Sequence, residues 1–225
     1  MGLHHKPCKT NKPNDSQSLN KGNKPIKTVI IITGTPGTGK TTISQKLAAK
    51  LGAHHIGITE LVKSEKLFTG TDKDRDTLVA DTDQVSERLQ EITAKMEGTI
   101  IVDGHYASAV VTKKEVYRAF VLRRDPRDLK KTLEDRGYNE KKVHENLAAE
   151  ILDVCLWDTI SDCGINKVCE INVSNKTVNE TVESILLVLD NKKECKVGIV
   201  DWLGTLEKAG QLENYLKMSG LSKQP

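Results

Sequence analysis

The sequence predicts an α/β domain, a buried parallel sheet with helices on both faces, and three observations carry the prediction. Short strand-like runs at residues 29–32, 53–58, 99–102, 119–122 and 167–173 alternate with stretches whose apolar residues recur at helical spacing. The first run is entirely apolar and passes straight into a glycine-rich turn and then a helix, as strand–turn–helix units of such sheets do. The length of 225 residues suffices for one sizeable core.

The turn is the most informative stretch. Val29, Ile30, Ile31 and Ile32 lead into Thr33-Gly34-Thr35-Pro36-Gly37-Thr38-Gly39-Lys40-Thr41-Thr42, and Ile43, Leu47, Ala48 and Leu51 follow on one helix face. Gly34 and Gly39 bracket four residues and Lys40-Thr41 comes next, the complete pattern of a phosphate-binding loop. Glycines let successive backbone N–H groups converge on phosphate oxygens, and the helix N-terminus adds positive potential. Gly37, Thr38, Gly39, Lys40, Thr41 and Thr42 are therefore the candidate triphosphate-binding residues, with Lys40 reaching the β- and γ-phosphates and the Thr41 hydroxyl a ligand for Mg²⁺. A nucleoside triphosphate, ATP in the reading adopted below, is the expected ligand.

The other segments are taken in order. Residues 1–27 carry six lysines and one acid among Asn, Ser, Pro and Gly, a composition that predicts a disordered basic extension; a basic arm for RNA and a solvated tail are both open. A short strand at 53–58 precedes a helical turn at Leu61 and Val62. Residues 69–83 are polar and rich in Asp, and read as a loop, either substrate-binding or merely solvated. Val85, Leu89, Ile92 and Met96 mark a helix that faces the core.

The strand at 99–102 delivers Asp103 to its carboxyl end, the edge where open parallel sheets bind ligands, and Asp103 is expected to hold Mg²⁺ or its waters together with Thr41. His105 follows on the same edge, where it either orients a water or is held within a loop. The strand at 119–122 ends in Arg123-Arg124-Asp125-Pro126, and the next helix runs to Arg136-Gly137-Tyr138. Arg123 and Arg136, at the two ends of that helix, are the candidates to clamp a transferring phosphoryl group. A single long helix is expected from Val143 through Leu156, then a fifth strand and a helix over Val182, Ile185, Leu186 and Leu189. The segment 195–225, with Trp202 and Tyr215, is expected to pack on the core built by residues 28–194.

Composition narrows the function classes. A net charge of +3 is too small to argue for nucleic acid. Five cysteines without a Cys-x-x-Cys pair predict neither a zinc site nor a disulfide framework, so reduced thiols in a cytoplasmic protein are expected. No apolar stretch is long enough for a transmembrane helix.

Taken together, the loop at 34–42, the triplet Asp103-Gly104-His105, and the run Arg136-Gly137-Tyr138-Asn139-Glu140-Lys141-Lys142 with Asn146 and Glu150 beyond it resemble the adenylate kinase isoenzyme 6 family. The tail from Val197 to Trp202 looks like that of the family's archaeal members, and the resemblance covers roughly residues 28–218. It implies a P-loop NTPase fold of the nucleoside monophosphate kinase type: a five-stranded parallel sheet with helices on both faces, a monophosphate-binding region at 57–80, and a short lid at 135–145 whose Arg136 contacts ATP. The implied activity is transfer of the γ-phosphoryl of MgATP to AMP, giving two ADP. ATPase activity linked to the Asp-x-His pair, and maturation of the small ribosomal subunit (pre-40S or 30S) through ribosomal protein uS11, are implied as well. The alternatives are an ATP-driven assembly factor with little kinase role, or a P-loop kinase for another small molecule. Two departures stand out. Lys63 takes the place of an expected arginine, with loss of the bidentate fork, and the N-terminal extension has no counterpart.

Overall fold

The central strand is the one the sequence marks most clearly. In the computed structural model, which describes residues 27–73 and 77–216, β1 (Thr28–Gly34) sits in the middle of a five-stranded parallel sheet. The chain continues through α1 (Lys40–Leu51), β2 (His54–Gly57), α2 (Ile58–Glu65), β3 (Phe68–Asp72), β4 (Thr77–Ala80), α3 (Thr82–Ala94) and β5 (Thr99–Asp103). A one-turn helix α4 (Ala107–Val110) leads to β6 (Val116–Arg123), α5 (Pro126–Asp135), α6 (Glu140–Ile151), α7 (Val154–Cys163) and β7 (Val168–Asn172), with a 3₁₀ turn before β7. Helices α8 (Val178–Leu189), α9 (Trp202–Lys208) and α10 (Leu212–Leu216) complete the chain. The expected segment 1–27 lies, but for Lys27, outside the described residues.

The sheet order is β2-β5-β1-β6-β7. Alternate residues of β1 face opposite layers, as the pleat requires: Val29 and Ile31 join one core cluster with Val62, Leu89, Val102 and Leu156, while Ile30 and Ile32 join the other with Leu47, Phe120, Val182 and Ile185. Burial on both faces explains why β1 reads as unbroken apolar sequence. Because β5 and β6 flank β1, the chain reverses direction across the sheet there, and the crevice beyond the carboxyl ends of these strands is where this architecture binds ligands.

Three expectations are corrected. Residues 69–83 are not simply a loop: β3 and β4 form an antiparallel hairpin, and the β-branched Thr69, Thr71 and Thr77 suit a strand despite the surrounding acids. The single helix from Val143 to Leu156 is two, broken at Asp153, whose φ is +59°. The Glu150 carbonyl, which a continuous helix would offer to the amide four residues on, accepts instead from an Arg123 Nη2 at 2.8 Å, and the Asp153 carboxylate also takes that nitrogen. Finally, Cys169 and Cys195 form a disulfide with their Cα atoms 5.0 Å apart, where reduced thiols were expected. The chain returns alongside β7 after α8, with the Glu170 amide donating to the Lys196 carbonyl at 2.8 Å, and this return brings the two residues together.

The C-terminal segment turns back over α6. Val200, Trp202 and Leu206 are buried against Ile151, and Tyr215 packs partly buried beside them. No helix among the described residues is long and apolar enough to cross a membrane.

Candidate active site

The phosphate loop connects β1 to α1 in a conformation that only its glycines permit. Gly34 has φ +135°, and a Cβ there would lie 2.4 Å from the Leu122 carbonyl oxygen. Gly37 has φ +95° and abuts the Leu129 side chain, where a Cβ would come within 2.8 Å. Between them the Thr35 carbonyl accepts from the Thr38 hydroxyl at 2.9 Å and from the Thr38 amide at 3.3 Å. Helix α1 begins at Gly39 with no side-chain cap and no acid in its first turn, so its amides and dipole are left for an anion.

Lys40 reaches back over this loop, its ammonium donating to the carbonyls of Gly34 at 2.8 Å and Thr35 at 3.0 Å. Burial lowers its pKa to about 8. These neutral acceptors are weaker partners than phosphate, so the ammonium is free to exchange them for a ligand. From the next β-strand end, Asp103 is buried and accepts from the Thr41 hydroxyl at 2.8 Å and lies 3.1 Å from His55 Nε2. A hydroxyl and a carboxylate this close offer hard oxygen donors of the kind Mg²⁺ takes alongside phosphate oxygens and water, so the pair fits that ion. No cluster of three or more His, Cys, Asp or Glu side chains suited to a metal exists among the described residues.

His105 lies on the same edge. Burial, with Lys40 adding to it, brings its pKa down to about 4, so the imidazole is neutral near pH 7. Its ring meets Tyr106 edge-on at 4.5 Å, and its backbone carbonyl accepts from the Thr33 hydroxyl.

A cleft of about 1470 Å³ opens beyond these groups. The phosphate loop, Asp103 and His105 line one part. Gly57, Thr59, Glu60, Lys63 and Ser64 with the hairpin residues Thr71, Thr77 and Leu78 line another, and Arg136 and Tyr138 from the α5–α6 connection line a third with Lys142 and Asn146 of α6. Across it Lys142 Nζ donates to the Thr77 hydroxyl at 2.7 Å while resting 4.3 Å above the Tyr138 ring, so the α6 side and the hairpin touch.

Of the residues singled out from sequence, Gly37, Gly39, Lys40, Thr41, Thr42, Asp103, His105 and Arg136 all face this cleft. Thr38 is buried beneath the loop and serves its internal bonding. Arg123 is a correction. It is 1% exposed and points away from the cleft into a carboxylate cluster: Nε donates to Glu150 at 2.9 Å, Nη1 to Glu170 at 2.5 Å and Nη2 to Asp153 at 2.5 Å. Burial works against its charge, but Glu150, Asp153 and Glu170 outweigh that and hold its pKa above the ordinary value. A guanidinium with every nitrogen so engaged has none to offer a phosphoryl group. Its neighbour Arg124, which sequence reasoning passed over, donates to the Gly37 carbonyl at 3.0 Å. His55 and Lys142 were passed over too. Their only signal is proximity in space, although Lys142 stands in the run that carried the family resemblance.

Comparison with known proteins gives three findings. A family profile described as an AAA domain matches residues 30–153. A protein of Methanocaldococcus jannaschii named "putative adenylate kinase" is 46% identical over 173 residues, covering 77% of this chain and 92% of that protein, and one of Methanosarcina barkeri with the same name is 37% identical, covering 78% and 97%. Among solved structures, a shikimate kinase from Bacteroides thetaiotaomicron superposes with a TM-score of 0.53 at 17% identity over 72% of this chain and 98% of its own, a likeness of fold.

Proposed function

Because the chain belongs to the family of archaeal proteins named "putative adenylate kinase", we propose that it transfers the γ-phosphoryl of MgATP to AMP, giving two ADP. The observation that carries this reading is the shape of the cleft. At about 1470 Å³ it exceeds the ~300–1,000 Å³ usual for one small ligand. It also joins a phosphate loop at one side to a second polar wall holding Lys63 at the other.

In this reading ATP lies with its β- and γ-phosphates on the amides of residues 37–42, and Lys40 exchanges its two carbonyl partners for phosphate oxygens. Residues 57–80 hold the monophosphate, with Lys63 as its cation, and residues 135–145 act as a lid. Arg136 reaches in from that lid to neutralise charge on the transferring group. An oxygen of the AMP phosphate attacks the γ-phosphorus in line, and the bond to the β-γ bridging oxygen breaks, so no protein nucleophile is needed. Thr41 and Asp103 would hold Mg²⁺, which when bound neutralises phosphate charge. Closure of the lid, in which the contact between Lys142 and Thr77 takes part, excludes water and favours transfer over hydrolysis.

His105 supports a second reading. A neutral imidazole beside Lys40 can accept a hydrogen bond from a water and orient it, which suits ATP hydrolysis in an ATP-driven factor acting on the small ribosomal subunit through uS11. The two readings separate on ADP production from MgATP by purified protein with and without AMP, with Asp103→Ala as control. Strong AMP stimulation, with two ADP formed per ATP consumed, is the expected result. Phosphate release indifferent to AMP and lost in the control would overturn it in favour of the ATPase, to be followed by nucleotide-dependent capture of uS11. Stimulation by a different acceptor would identify another small-molecule kinase.

A further inference from the structure

The carboxylate cluster around Arg123 holds more negative charge than its arginine can match. Three carboxylates, Glu150, Asp153 and Glu170, meet one guanidinium, and Glu150 is itself only 1% exposed. Asp153 is partly exposed, but Glu150 and Glu170 are buried, and buried carboxylates that share one cation persist only if neutral donors satisfy their remaining oxygens. Those donors come from two places far apart in sequence. Glu150 Oε1 accepts from the Arg124 amide at 3.0 Å and the Trp202 indole at 3.1 Å, besides Arg123, and Glu170 Oε2 accepts from the Ile199 amide at 2.7 Å. The other oxygen of Glu150 takes the Thr35 hydroxyl at 2.5 Å. One carboxylate thus has the C-terminal segment on one oxygen and the phosphate loop on the other.

Thr35 is the residue through which that grip reaches the site. While its hydroxyl is held by Glu150, its carbonyl accepts from Lys40 Nζ at 3.0 Å and from the Thr38 hydroxyl at 2.9 Å. The orientation of this one peptide unit sets both the curve of the loop and the seat of the lysine. The C-terminal segment is anchored to make the contact. Its root is tied to β7 by the disulfide at Cys195, and Val200, Trp202 and Leu206 pack on Ile151, the last residue of α6.

We propose that the C-terminal segment is part of the phosphate-loop machinery, with Trp202 and Ile199 holding Glu150 and Glu170 so that Glu150, as a positioning residue, fixes Thr35 and through it the loop that seats Lys40. The proposal rests on the reading that Lys40 and its loop hold a triphosphate, not on the identity of the acceptor.

Trp202 supplies its own reporter. The chain has two tryptophans, and Trp157 is 63% exposed outside the cleft lining. In a Trp157→Phe background, MgADP is titrated while Trp202 emission is followed and binding is measured in parallel by calorimetry. The expected result is a saturable emission change that tracks occupancy, is lost in Thr35→Val and returns in Thr35→Ser. Emission indifferent to nucleotide that calorimetry shows to be bound overturns the proposal. Trp202→Phe, which removes the indole N–H and keeps most of the ring volume, should lower kcat about tenfold, the expected size for one hydrogen bond to a charged group. KM for ATP should move by less than about threefold, since the loss falls on the transition state. The double variant with Thr35→Val should be no worse than the poorer single one, because both cut the same chain. Multiplying effects in the double variant, or a loss of melting temperature with kcat per folded molecule unchanged, would reduce the cluster to a structural one. If AMP proves not to be the acceptor, the emission titration still decides the coupling, so the two readings fail separately.

Discussion

Two groups of charged side chains flank the phosphate loop, and they are opposites. Behind the loop Arg123 is closed on all sides by Glu150, Asp153 and Glu170, and no nitrogen of it remains for a ligand. In front, the Lys40 ammonium rests on two backbone carbonyls, and Arg136 and Lys63 face the cleft without an ion-pair partner among the described residues. Arg123 and Lys40 are both cations beside the loop, and Arg136 and Lys63 line the cleft it opens into. The difference lies in what they would give up to bind phosphate: Arg123 would strand buried carboxylates, whereas Lys40 would trade one set of oxygens for a better one. A cation belongs to the site when its protein partners are exchangeable, not when it is merely near.

That contrast can be broken from either side. The largest effect is expected behind the loop. Arg123→Ala leaves two buried carboxylates, Glu150 and Glu170, and the half-buried Asp153 without their counter-ion and should cost about 3–5 kcal/mol of stability, read by chemical denaturation; a variant of normal stability that had lost only activity would return Arg123 to the cleft. Lys40→Ala should do the reverse. Phosphoryl transfer falls at least ~10²–10³-fold, while the denaturation midpoint barely moves, because the wild-type ammonium holds only two backbone carbonyls, of which that of Thr35 keeps the Thr38 hydroxyl as a donor. Near-normal turnover in that variant would remove the loop from the chemistry.

A third test concerns the tether behind the loop. Cys195→Ser opens the bridge to Cys169, separated from it by 26 residues in sequence, and should lower stability by about 2–4 kcal/mol. If the tail is held chiefly by Trp202 and Leu206, the melting temperature will drop less and the bridge becomes incidental. The smallest effect belongs to the cleft rim. Lys142→Met removes the donor to the Thr77 hydroxyl, a contact of about 0.5–1.5 kcal/mol, and should raise KM for the acceptor by a few-fold at unchanged melting temperature. No change in KM would mean that the contact between Lys142 and Thr77 plays no part in holding the acceptor.

Much of the cleft was legible in the sequence because its signals are local. Gly34, Gly39, Lys40 and Thr41 are contiguous, and strand β1 before them is buried on both faces, so the loop, its lysine and its helix could be read from a dozen residues. Asp103 was legible because an apolar strand ends at it. The rest was hidden for identifiable reasons. Arg123 and Arg124 are adjacent at one strand end and indistinguishable by type, yet one turns to Glu150 and Glu170 and the other to the Gly37 carbonyl. Acids in the 69–83 stretch masked the threonines that pair β3 with β4. The helix break at Asp153 depends on Arg123 taking the Glu150 carbonyl, which no helical periodicity records.

By itself, then, the sequence determined the parallel sheet, the phosphate loop and the acid across from it, since each depends on the burial pattern or backbone freedom of consecutive residues. Only the tertiary structure decided which cations are spent and which are free, where the hairpin crosses to meet Lys142, and that Cys169 meets Cys195. It also decided that a tryptophan in the last helices reaches a carboxylate under the loop. The contacts that decide them join partners from 26 residues apart, as for Cys169 and Cys195, to 65 apart, as for Lys142 and Thr77, which only the crossing of distant chain segments over one sheet brings together.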